Sequence, residues 1–292
     1  MKQFVSKFIL FVFLFLLYMG GNYIVNLHYI NSNIPEEKLN DYNTLIMGDS
    51  HPQMALNPSL FDSAYNMCQD AEPYFVTYWK LKKLLTQYKT IDTVLLGFSF
   101  HNISAFNDKK LNDRIWSTEM FKRIYPIEEL KTLKNIKIDW LEYYTIMIKK
   151  MCLYPVKNHT YYIGEYKKSQ MNNVSDYDIS IKRHYYYNDR NVGISAVAID
   201  FLKSIIALCK KNHIMIGLVT TPLHEEYIKR IPANFKREFL QLKHELKNND
   251  LLVLDYSSIA LDDSVYLNSD HLNESGAKKF TKIVIDSLQH HL

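Results

Sequence analysis

The chain has 292 residues, of which 47% are hydrophobic and 23% charged, close to ordinary globular usage. A net charge of +4, from 35 basic and 31 acidic residues mixed along the chain, excludes a nucleic-acid binder that relies on a strong basic field. The 8 glycines form neither a GxGxxG nor a GxxxxGK[ST] loop, and Cys68, Cys152 and Cys209 share no CxxC spacing, so no nucleotide or other cofactor, zinc knuckle or disulfide framework is expected.

In chain order, Lys2 and Lys7 precede an apolar segment, and the 20 residues from Phe8 to Leu27 carry no charge. That length crosses a bilayer core of about 30 Å at ~1.5 Å per residue. Residues 1–27 therefore predict a transmembrane signal anchor, with the positive flank giving an N-in, C-out orientation. A cleaved signal peptide is the competing reading, but Tyr18 or Met19 stands where cleavage wants a small residue. Either reading puts the rest of the chain outside the cytoplasm, where the cysteines should be mostly buried. Residues 28–42 are polar and read as a linker.

The domain proper is expected over 43–292. Short, continuously apolar runs predict buried strands at 44–48, 93–97, 213–219 and 251–255. Helical patterns lie between them, at 58–63, 73–88, 196–211, 232–246 and 274–288. Strands without polar alternation, separated by helices, mean a parallel sheet covered on both faces, an α/β fold of doubly wound type. Residues 105–194 break the pattern. They are rich in Tyr, Lys and Asn, with a helical stretch at 127–149, and read as an inserted helical cap over the carboxyl ends of the strands, where ligands bind in such sheets. Tyr185-Tyr186-Tyr187 reads as packing within it.

Two sequence blocks carry candidate chemistry. Gly48-Asp49-Ser50-His51 follows the first strand, so Ser50 sits on a strand-to-helix turn at the carboxyl edge of the sheet. An ordinary helix cap would also put Asp or Ser there. The second block, Asn268-Ser269-Asp270-His271-Leu272-Asn273-Glu274, lies between the last strand and the last helix, which brings His271 to the same edge. A Ser hydroxyl needs a base near neutral pH, and imidazole supplies one when an acceptor fixes its tautomer. A metal cluster of Asp49, His51, Asp270 and His271 is chemically conceivable but lacks ligand spacing on a helix, so no metal is expected.

GDSH after the first strand, together with DHLNESGA before the last helix, resembles the SGNH (GDSL-like) hydrolase superfamily. The resemblance covers 43–104 and 195–292 and is nearest in kind to membrane-anchored bacterial members acting on surface glycans. It implies a flavodoxin-like three-layer α/β/α sandwich, with Ser50 as nucleophile and His271 as base. The family places an Asp three residues before that His, and here Asn268 stands there. Either Asn268 or the adjacent Asp270 would orient His271, or the site is impaired. The family's oxyanion donors map to Asn66 or the backbone near Ala71, and to Ser99, His101 or Asn102; the backbone N–H of Ser50 needs no match. His224, after the third strand, borders the same edge as a substrate contact.

The resemblance thus implies an extracytoplasmic serine esterase or O-acyltransferase, with acetyl as the expected group, acting on a surface or exported glycan. A non-catalytic module that binds a glycan or a partner in polysaccharide assembly is the alternative. A third arrangement, with Asp49 and His51 as an Asp-x-His pair serving another nucleophile, ranks below both.

Overall fold

The four apolar runs become neighbouring strands of one sheet in a computed structural model, which describes residues 1–32, 39–124, 133, 136–154, 163–247 and 251–290. The elements run α1 (Lys2–Ser32), β1 (Thr44–Met47), α2 (Ser50–Ala55), β2 (Ala64–Asn66), α3 (Tyr74–Gln87) and β3 (Thr93–Gly97). Next come α4 (Arg114–Ile124), α5 (Trp140–Met147), α6 (Tyr177–Tyr185), β4 (Tyr186–Tyr187), β5 (Arg190–Asn191) and α7 (Ala196–Lys211). The chain closes with β6 (Met215–Thr220), α8 (Glu225–Arg230), α9 (Ala233–Lys247), β7 (Leu252–Asp255) and α10 (Glu274–Gln289).

The fold is α/β. The sheet has five strands in the order β2-β1-β3-β6-β7, and every neighbouring pair is parallel. By rank along the chain this is 2-1-3-4-5, the flavodoxin-like order, whose switch point lies between β1 and β3. Loops leaving those two strands diverge and open a crevice at the carboxyl edge. β2 falls where no strand was expected, because three residues are too few to show a period.

Both faces of the sheet are covered. On one, Ala55, Leu56, Phe280 and Val284 pack with Ile46, Leu95, Val219 and Leu254 in a single buried cluster. Burying a residue such as Phe280, fully enclosed here, contributes about 2–3 kcal/mol. On the other face, Phe75 and Trp79 of α3 pack edge-on against Phe201 of α7. Phe239 of α9 packs on Phe98 and Phe100 just beyond β3.

The described chain divides into two compact units, Met1–Glu36 with Lys110–Tyr162, and Glu37–Lys109 with Ile163–Leu292. The region read from sequence as one insertion, 105–194, is thus shared between them, with only its outer parts belonging to the sheet unit. The expected helix at 58–63 is a single 3-10 turn, Pro58–Leu60, because Asn57 caps it and Phe61 is already extended. In the expected helix at 127–149, residues 137–139 are non-helical and the helix starts at Trp140, with Asp139 as its N-cap. Residues 127–132 and 134–135 lie outside the described residues. Cys68 and Cys209 are buried and Cys152 partly so, and all three are free.

Candidate active site

Two glycines and a proline shape the crevice. Gly48 has φ +130, a conformation open to Gly and strained for other residues. A Cβ there would stand 3.0 Å from Pro52 Cγ, and one on Gly97 would stand 2.7 Å from the same atom. The ends of β1 and β3 are therefore bare so that Pro52, in the first turn of α2, can settle on the sheet. Pro is tolerated in that turn because its missing N–H has no intrahelical partner to lose. Asp49 caps the helix by accepting the His51 N–H. Ser50 is consequently presented at the carboxyl edge, half-buried, as the sequence block predicts.

The structure brings the two blocks together. Ser50 Oγ lies 2.7 Å from His271 Nε2 across 221 residues of chain. On the far side of the ring, His271 Nδ1 stands 3.0 Å from Asp270 Oδ1 and 3.0 Å from Asn268 Oδ1. Adjacent side chains ordinarily diverge, and a tight turn explains the convergence here. Asn268 Oδ1 accepts the backbone N–H of His271 at 2.9 Å and of Asp270 at 3.3 Å, while the Leu267 N–H bonds back to the His271 carbonyl. Asn268 folds the loop, and the fold turns Asp270 onto the ring.

Asp270 is fully buried. Its Oδ2 meets Arg183 Nη2 at 3.1 Å, His51 Nε2 at 3.5 Å and His184 Nε2 at 3.6 Å. Burial alone would raise its pKa, but His271, then His51 and His184, hold it well below the usual carboxylate range. Arg183 and His184 come from α6, inside the region set aside as a cap, and the sequence reading missed both. Their one local signal is a basic pair near the carboxyl end of a helix, which an ordinary helix terminus explains equally well.

A second carboxylate organises the β1–β3 side. Asp49 Oδ2 meets His101 Nε2 at 2.6 Å and accepts from Asn102 Nδ2 at 2.7 Å, while Asn102 Oδ1 accepts the Ser99 N–H at 2.7 Å. Burial would raise the Asp49 pKa, yet His101 and then His51 press it far down. Asp49 therefore serves His101 and not the His51 ring, which stands between His101 and His271 at centroid distances of 4.1 and 4.6 Å. That arrangement overturns the Asp49–His51 pair as a catalytic unit. Ser99 Oγ is buried without a partner among the described residues.

Other expected donors lie elsewhere. Asn66 Nδ2 donates to the carbonyls of Pro52 and Leu56, and its Oδ1 accepts the Cys68 N–H. An amide so engaged closes the end of α2 and cannot hold an oxyanion. The residue type matched, but the α2 carbonyls claimed it. Ala71 has φ +58 on the loop after β2. A buried Lys80–Glu72 pair at 2.6 Å, with Lys80 also donating to the Met67 carbonyl, braces that loop. His224 caps α8 through the Glu226 N–H and pairs with Asp263 at 3.1 Å. Tyr185 is packing, as expected, fully enclosed against Phe235.

His51, His184 and Asp270 each offer one ligand atom within 4.8 Å of the others. The donor chemistry argues against a divalent ion there. Asp270 Oδ1 is taken by His271, and its Oδ2 is shared with the guanidinium of Arg183, a fixed cation that an incoming metal would have to displace. Zinc added to the full chain is accordingly expected to leave its melting temperature unchanged. A rise that His51→Asn or His184→Asn removes would instead assign these three side chains as ligands.

The crowded imidazoles also set an acid limit on the fold. Burial, reinforced by His101, lowers the His51 pKa to about 4. Between about pH 6.5 and 4 the unfolded chain binds a proton at this residue that the folded chain refuses, so stability falls as pH falls. The loss is on the order of a few kcal/mol by pH 4. His184 is displaced in the same direction, first by burial and then by His101. Melting temperatures measured from pH 7 to 4 should decline, and His51→Asn should flatten the decline. An unchanged slope in that variant would contradict the assignment.

No protein-family model matches the chain, and no curated protein does. Among solved structures, a candidate acylhydrolase from Bacteroides fragilis NCTC 9343 shares 12% identity, with 89% of this chain and 93% of that one covered at a TM-score of 0.45. A GDSL-like lipase from Bacteroides thetaiotaomicron VPI-5482 shares 9% identity over 93% of this chain and 98% of that one, also at 0.45. A candidate platelet activating factor from Streptococcus pneumonia shares 12% identity over 97% and 99%, at 0.43.

Proposed function

We propose that this chain is a serine-dependent acyl esterase or O-acyltransferase. The observation that carries the reading is the contact between Ser50 Oγ and His271 Nε2 at 2.7 Å, with a buried carboxylate behind the ring at 3.0 Å. Ser50 donates its proton to His271 as Oγ attacks an ester carbonyl. His271 Nδ1–H, held by Asp270 and Asn268, keeps Nε2 free to accept it, and the ionised Asp270 stabilises the imidazolium that forms. The negative charge on the carbonyl oxygen falls to the Ser50 backbone N–H, which has no intrahelical partner in the first turn of α2. Asn102 gives one Nδ2 hydrogen to Asp49, and its second is the side-chain donor we propose, with Ser99 beside it. His271 then protonates the departing alcohol, leaving an acyl group on Ser50. Water completes hydrolysis; a sugar hydroxyl completes transfer.

The carboxylate at 3.0 Å also favours catalysis over the non-catalytic module, for which the Asn at position 268 was one ground and the lack of a GxND turn after the second strand run the other. We take α1 as a membrane anchor that holds the α/β unit outside the cytoplasm. One helix, Lys2–Tyr29, has the length and composition to cross a bilayer, and Lys2 and Lys7 flank its amino end. An acylated glycan at the cell surface, with acetyl as the group moved, is the substrate class that fits this placement; proteins of polysaccharide assembly are the corresponding partners.

The test is labelling of the full chain, in detergent, by a serine-directed fluorophosphonate. Adduct on Ser50 and turnover of a short-chain aryl ester are the expected results. Efficient turnover with no adduct on Ser50 would refute the reading.

A further inference from the structure

Apolar side chains cover α1 from Phe8 to Leu17, and all ten are exposed. Beyond them Tyr18, Asn22 and Asn26, four residues apart, share one face of the helix. All three donate to backbone carbonyls of one short segment. Tyr18 OH reaches Leu153 at 3.1 Å, Asn22 Nδ2 reaches Cys152 at 3.0 Å, and Asn26 Nδ2 reaches Met151 at 2.9 Å and Tyr154 at 2.7 Å. The acceptors end α5, which continues as a π-helical turn, Ile148–Leu153. The final carbonyls of a helix have no intrahelical donor, and in an apolar phase no water replaces one. Amide side chains within an otherwise apolar helix answer that need.

The pairing sets depth. Asn26 alone gathers the carbonyls of Lys150, Met151 and Tyr154, so the carboxyl end of this segment is docked at the level of Asn22 and Asn26. Along α1, Tyr18 lies ~15 Å and Asn26 ~27 Å from Phe8. The carbonyls of 151–154 therefore sit in the half of the bilayer remote from the amino terminus, if α1 spans it.

The same helix exposes a stripe. Leu141, Tyr144 and Ile148, spaced by three and four, are 80%, 45% and 42% exposed, while Ile146 and Met151 are buried. Tyr154 adds another exposed ring. Lys149 and Lys150 have stems long enough to carry their ammonium groups to headgroups.

We infer that residues 140–154 are a second membrane-embedded element, docked by its carboxyl end on α1 and presenting Leu141, Tyr144 and Ile148 to lipid. The inference rests on the reading of α1 as a membrane span. The occupant of the stripe is the bilayer because the segment that carries it is bonded by its carboxyl end to a helix of spanning length.

Spin labels on the full chain test it in phosphatidylcholine–phosphatidylglycerol vesicles. Cys152→Ala removes the one accessible native thiol, and single cysteines are introduced by Phe11→Cys, Leu141→Cys, Ile148→Cys and Leu240→Cys. Each variant is required to melt like the parent. Collisions with oxygen should dominate over those with a water-soluble nickel chelate at 11, 141 and 148, and the reverse should hold at 240, exposed on α9. Lipid contact at 11 with water contact at 141 and 148 would overturn the inference and leave the anchor standing. Water contact at all four positions would remove the anchor reading and the inference with it.

Discussion

Ser50→Ala is expected to lower kcat toward an aryl acetate by about 10⁴- to 10⁶-fold, leaving only the rate that binding and backbone donors support. Ser50 Oγ is the one hydroxyl that meets His271 Nε2 among the described hydrogen bonds, at 2.7 Å. Removing it leaves a base with nothing to activate except water. KM should change little, because Ala keeps the backbone N–H and deletes a single oxygen. The fold should tolerate the change as well, since Ser50 is half-buried and the cap of α2 is Asp49, not Ser50. Circular dichroism and a steady-state assay on the same preparation separate the two effects. A variant that keeps even a tenth of the parent rate would show that the nucleophile lies elsewhere.

The second large effect distinguishes the two residues that reach His271 Nδ1. Asp270→Asn should cost about 10⁴-fold in kcat, because an amide can present its NH2 to the ring and favour the wrong tautomer. It also removes the charge that balances the imidazolium and leaves Arg183 without its buried partner. Asn268→Ala should cost far less, about 5- to 10-fold, the loss of one neutral hydrogen bond and some order in the turn. Asn268→Asp should bring no gain. It would set a second buried carboxylate beside Asp270, and one of the two would have to take up a proton. If Asn268→Ala proved the more damaging change, Asp270 would be a structural counter-ion of Arg183 and the amide would be the orienting group.

The sheet was legible because its strands are buried on both faces. Runs such as Thr44–Met47 and Thr93–Gly97 carry no polar residue inside, and nothing but a covered parallel strand suits them. β2 escaped because Ala64–Asn66 is too short for a period. The meeting of Ser50 with His271 was legible from topology alone, since both follow strands at the carboxyl edge. Which acceptor serves His271 was not. That depends on a turn in which the Asn268 side chain gathers two backbone N–H groups, and side-chain direction in a loop is not written in residue spacing. Arg183 and His184 were invisible for a related reason. They meet Asp270 across 87 and 86 residues, through a helix whose own pattern speaks only of packing. Asn66 shows the opposite error, a residue of the right type near the right place whose hydrogen bonds the end of α2 had already claimed.

The stripe of Tyr18, Asn22 and Asn26 makes α1 more than a tether of sufficient length. Its rotation about its own axis is fixed, because turning it would bring Ile24 or Val25 against the carbonyls that the two amides now hold. An unrelated apolar helix grafted in its place would keep the length and composition to cross a bilayer, yet it would strip the end of the 140–153 segment of its donors. Apolar helices of equal length are not interchangeable here, because α1 and the segment it holds are a matched pair.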